Sequence, residues 1–112
     1  MVLDWETSQL IIEAVLANAS KLTGDQAGDL KIVQTACEGE LEKRIALSRE
    51  IMDVVKVGPP KLLPPDFYRK TVTSMQDLRK RKQNLGLIFE RYAGDIFGLT
   101  EIARKSQAVS ET

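Results

Sequence analysis

From Asp66 to about Ala103 the apolar residues of this chain recur at helical spacing. Leu78, Leu85, Tyr92 and Leu99 stand one heptad apart, with Met75, Phe89, Ile96 and Ala103 beside them. One helix can therefore carry a continuous apolar stripe over this stretch. At ~1.5 Å rise per residue, about 40 residues would reach about 60 Å, more than a small compact domain needs. A helix of that length with a single oily stripe usually works by holding another helix, so the pattern points first to partner binding.

Two shorter helical patterns precede it. Over about residues 3–22, Trp5, Ile12, Val15, Leu16, Ala19 and Leu22 share one face, while Glu6, Glu13 and Lys21 can face water. Asp4 and Glu6 lie where acidic groups favour a helix N-terminus. Thr23-Gly24-Asp25-Gln26 ends this segment and reads as a Thr23/Gln26 capping box for the next, with Asp29 after Gly28 as a competing cap. Over about residues 27–56, Leu30, Val33, Cys37, Leu41, Ile45, Ser48, Met52 and Val55 keep a three-four spacing, and Glu40 and Arg44 are placed for an i,i+4 pair.

All four prolines fall between Pro59 and Pro65. Proline lacks the N–H and clashes with the preceding turn, so the second helix must stop before them. Pro64-Pro65-Asp66 suits the start of a third, over about 65–104. With no strand-like alternation and no repeat, the reading is all-α. It predicts a single helical domain over 1–112, a three-helix antiparallel bundle or hairpin with a long C-terminal helix, a stiff Pro-rich linker over 57–65, and a short tail.

Composition narrows the chemistry. Histidine is absent and Cys37 is the only cysteine, which removes internal disulfides, His-based metal sites and Ser–His or Cys–His nucleophile pairs. A reducing compartment is the expectation, and Asp4 and Glu6 argue against a signal peptide. No apolar run approaches the ~18 residues of a membrane span. Net charge is zero but uneven: residues 1–65 carry 7 Lys/Arg against 10 Asp/Glu, and residues 66–112 carry 9 against 6. That balance falls well short of a nucleic-acid binder, although it could steer an acidic partner to the C-terminal helix.

The individual candidates are mostly structural. Cys37 lies on an apolar stripe, and nothing adjacent in sequence would stabilise a thiolate. Glu38, Glu40 and Glu42 form an acidic cluster that reads as a solvated helix face. Four consecutive residues on a helix point about 100° apart, so Arg79-Lys80-Arg81-Lys82 cannot form one phosphate-reading face. Gly86, Gly94 and Gly98 interrupt the third helix at roughly 1 kcal/mol each. On a helical wheel Gly94 and Gly98 lie beside Leu87, with Phe97 at the margin. Either the backbone packs closely there and the helix frays, or a shallow second groove awaits another helix.

Two blocks carry a family resemblance. Gly28-Asp29-Leu30, followed by Glu40-Leu41-Glu42-Lys43-Arg44-Ile45-Ala46-Leu47, looks like a short linker and a Glu/Lys-rich helix. Leu78-Arg79-Lys80-Arg81-Lys82-Gln83-Asn84-Leu85-Gly86-Leu87-Ile88 looks like a basic, Asn-containing stretch leading into an apolar C-terminal helix. Together they resemble the small flagellar type III export chaperones of the FlgN/FliT kind. The family's Asn-Gly step is interrupted here by Leu85, and the proline-rich connection is unusually stiff.

The resemblance implies a cytoplasmic, non-enzymatic chaperone without cofactor or metal. Such a protein binds flagellar hook-associated or filament-cap subunits before export and has the export apparatus as a further contact. Carried onto this chain, the client-binding positions are Leu85, Leu87, Ile88, Tyr92, Ile96 and Leu99, to which the wheel adds Phe97. A rival reading from the same stripe is a self-associating helical adaptor of a phage or cell-envelope assembly, and a homodimer stays open under either.

Overall fold

The computed structural model describes residues 3–57 and 63–110, and among them every regular element is helical: α1 (Trp5–Ala17), a 3₁₀ turn (Ala19–Lys21), α2 (Gln26–Val57), α3 (Phe67–Arg91) and α4 (Ala93–Ser110). The all-α expectation holds. The long helix expected over about 65–104 is instead two helices, separated at Tyr92, and the second runs on to Ser110. At the junction the Tyr92 N–H donates to the Ile88 carbonyl at 2.8 Å, and the Tyr92 carbonyl accepts from Ile96 N at 2.9 Å. The Pro59-Pro60 part of the expected stiff linker lies outside the described residues.

Caps explain the other boundaries. The Asp4 carboxylate accepts from the Thr7 N–H at 2.7 Å, an Asp N-cap that starts α1. The helix stops at Ala17 rather than near Leu22, because Asn18 turns its amide back to donate to the Ala14 carbonyl at 2.8 Å. The chain then tightens into the 3₁₀ turn.

The entry to α2 differs from the capping box read in the sequence. Asp25 is the cap, its carboxylate accepting from the Gly28 N–H at 2.9 Å. Thr23 Oγ1 accepts from the Asp25 N–H at 3.3 Å, and no Thr23–Gln26 pair forms. Asp29 is fully buried, and its carboxylate reaches back to accept from Thr23 N and Gly24 N, both at 2.9 Å. A buried carboxylate is tolerable only when hydrogen-bonded in this way. Gly24 has φ +92, and the Arg104 guanidinium lies 3.4 Å from where a Cβ would project. That is ordinary contact distance, so it is the positive φ that calls for glycine here.

The chain groups into two compact units. Residues 1–38 and 84–112 form the first and residues 39–83 the second. In the first unit, Leu10, Ile11, Val15, Val33, Cys37, Leu85, Ile88, Phe89 and Ile96 are buried. The second unit is a helical hairpin from the ends of α2 and α3. It buries Leu41, Ile45 and Met75 and half-buries Met52, Val55, Val72 and Leu78. A Glu42–Lys82 ion pair and Lys56, 5.9 Å above the Tyr68 ring, join its two helices.

Candidate functional site

The residues expected to bind a partner do not form one surface. Leu85, Ile88 and Ile96 are buried in the first unit, while Tyr92 and Phe97 are half-buried. The heptad stripe is thus largely taken up by the chain's own core. Leu87 and Leu99 are the two exposed members, on different helices. Gly86, Gly94 and Gly98 have open space where a Cβ would stand, so close backbone packing does not explain them.

Leu99 belongs to a different arrangement. α1 and α4 flank an apolar groove of about 270 Å³ in the first unit. Ile12, Val15 and Leu16 line it from α1, Ala19 from the 3₁₀ turn that follows, and Leu99, Ile102, Ala103, Ser106 and Gln107 from α4. Val15, Ala19 and Ala103 form its buried floor. The walls stand in water: Leu16 is 64% exposed, Ile102 66%, Ile12 44% and Leu99 37%.

Helical spacing carries the exposed apolar face of α1 beyond the groove itself. Ile12 and Leu16 lie one turn apart, and Trp5, 75% exposed, lies two turns before Ile12 on the same face. Together Trp5, Ile12, Leu16, Leu99 and Ile102 leave on the order of 500 Å² of apolar surface in water, toward the upper end for a lone subunit. Shape and chemistry match one face of an amphipathic helix.

Sequence reasoning set Trp5, Ile12 and Leu16 on the same covered face as Val15, Ala19 and Leu22. The missed signal was arc width. Leu10, Ile11, Ile12, Ala14, Val15 and Leu16 wrap around more of α1 than one neighbouring layer can cover. One edge of that arc, Ile12 and Leu16, must face outward, while Leu10, Ile11, Ala14 and Val15 are buried.

Electrostatics around the groove are structural rather than chemical. The Arg104 guanidinium donates to the Glu101 carboxylate at 2.8 Å. That hydrogen bond, together with the charges, holds Glu101 below the usual carboxylate range and raises Arg104. Cys37 is fully buried, and desolvation, with a smaller push from Glu38, moves its thiol up to about 12. It is therefore a neutral core group at neutral pH.

A second depression of about 510 Å³ lies between α2 and α3 of the same unit, but Lys31, Glu38 and Glu90 line it. Its floor at Phe89 is already buried, so it offers little apolar gain. Among the described residues no group of His, Cys, Asp and Glu side chains is arranged to hold a metal ion, and no helix is long and apolar enough to cross a membrane. No protein-family model, curated protein or solved structure matches this chain.

Proposed function

We propose that this chain is a helix-capturing protein of the export-chaperone type, and that the α1–α4 groove holds an amphipathic segment of its client. The observation that carries the reading is the row of Ile12, Leu16, Leu99 and Ile102 standing in water on both walls of a groove whose floor is already buried. A client helix laid there gains hydrophobic burial without requiring the core to open. Covering about 500 Å² per side is a small interface, at the weak and transient end of protein contacts. Reversible capture of that strength suits a chaperone, which must release what it shields.

The specific client follows from the family resemblance: a flagellar hook-associated or filament-cap subunit whose terminal helix is amphipathic. The binding set now centres on Leu99 together with Ile12, Leu16 and Ile102. Leu85, Ile88 and Ile96 are buried in the core of the same unit and are not open to a client.

Trp5 is the only tryptophan and reports on the same face. Titrating a synthetic terminal-helix peptide of a hook-associated subunit from the same genome should shift its emission to shorter wavelength. Leu16→Ser/Ile102→Ser should weaken binding by at least about tenfold, as loss of about 1.4 kcal/mol or more requires. Unchanged binding in that folded variant would rule out the groove as the capture site.

A further inference from the structure

The hairpin of residues 39–83 leaves its own apolar row uncovered. Leu47, Ile51 and Val54 follow i, i+4, i+7 spacing along α2 and are 57%, 37% and 67% exposed. They form one stripe on the α2 flank away from Leu41, Ile45 and Met52. Charge separates the two units. Residues 39–83 hold 11 Lys/Arg and 6 Asp/Glu, a net of +5, while the remainder hold 5 and 10, a net of −5.

We infer that the occupant of the Leu47–Ile51–Val54 stripe is the α1–α4 groove of a second copy of this chain, joined head to tail. The stripe is one apolar helix face, and the groove is shaped for one. Two hairpins meeting stripe to stripe would bring +5 against +5, whereas hairpin against groove unit brings +5 against −5, and only the latter is attractive at long range. The stripe's own margins are locally neutral, Glu40 and Glu50 offsetting Lys43 and Arg44, so no basic cluster adjoins it to hold an anionic lipid surface. A head-to-tail contact leaves one groove and one stripe free at the ends, so assembly grows unless it closes into a ring. Self-association then occupies the groove until a client displaces the neighbour. The inference rests on the groove being a helix dock.

Sedimentation of the full chain tests it. At low salt the mass should rise beyond a dimer with concentration, and association should weaken about tenfold or more in high salt. Leu16→Ser/Ile102→Ser breaks the groove, and Leu47→Ser/Val54→Ser breaks the stripe, without altering charge. Each variant should be folded by circular dichroism and monomeric alone, and their mixture should form a 1:1 dimer and nothing larger. If either double variant loses its helical signal, the single changes Ile102→Ser and Val54→Ser replace it.

A monomeric wild type at every concentration overturns the inference. So does a groove variant that dimerises by itself, which would indicate pairing of hairpins. So does a monomeric wild type whose stripe binds phosphatidylserine vesicles. If the client peptide binds while the mixed variants stay apart, this inference fails alone and the capture reading stands.

Discussion

The two units solve the problem of burying an amphipathic helix in different ways. In the first, elements from α1, α2, α3 and α4 combine, and Val33, Cys37, Leu85, Thr100 and Asp29 lose all contact with water. In the second, two helices face each other, and among its described residues Leu41 alone is fully shielded. A pair of helices shares one seam and cannot cover a wide apolar arc, so Leu47, Ile51 and Val54 stay outside. The comparison teaches that length of stripe matters less than the number of neighbours available to cover it. It also explains why the first unit has a groove and the second only a ridge.

The largest predicted contrast is in core truncation. Leu85→Ala in the first unit should cost about 3–5 kcal/mol, and Met75→Ala in the hairpin about 2 kcal/mol, because the hairpin can close around a smaller side chain. Urea unfolding followed by circular dichroism measures both. Equal losses would mean that the hairpin is as tightly packed as the rest. Next comes Asp29→Ala, which strands the Thr23 and Gly24 N–H groups and should cost about 2–3 kcal/mol by the same measurement.

Alkali should separate the units again. The Cys37 thiol binds its proton more tightly when folded, so its contribution is complete below the ordinary value of 9.0 and is lost as pH rises toward about 12. Cys37→Ala should remove that component from a thermal melt series and leave the hairpin's behaviour unchanged. Gly94→Ala and Gly98→Ala fill open space and should each stabilise by about 0.5–1 kcal/mol. A loss of stability would mean that the helix needs glycine there.

The smallest effect belongs to Glu42→Gln, which removes an exposed pair with Lys82. Lys82, by hydrogen bond and charge, holds Glu42 below its ordinary 4.5, so its contribution is present above that pH and fades as pH falls through the lowered value. The difference between wild type and variant should therefore shrink in acid melts.

Much of the architecture could be read before any coordinates. The three-four row from Val33 through Cys37 and Leu41 to Ile45 is buried as its spacing requires. Pro64 and Pro65 do precede a helix that Asp66 helps to start, with the Lys70 N–H donating to the Asp66 carbonyl at 3.0 Å. The boundary at Tyr92 leaves no signal in the sequence, because the heptad pattern runs straight through it and the backbone bonds on either side keep i→i−4 spacing. Periodicity records which residues are apolar, not which neighbour covers them. For the same reason Leu85, Ile88 and Ile96 read as a docking strip although the fold consumes them. Ile12 and Leu16 read as core although they line a groove. In the sequence Asp29 competes with a capping box, and only the path of the Thr23–Asp25 turn assigns it to the loop.

The central claim is that captured helices lie between α1 and α4 and not along the heptad stripe or the Leu87 face. Methyl resonances of isoleucine and leucine, followed while the client peptide is added, test this most directly. Ile12, Leu16, Leu99 and Ile102 should shift together with Leu87 unmoved. A shift centred on Leu87, with those four still, would contradict it.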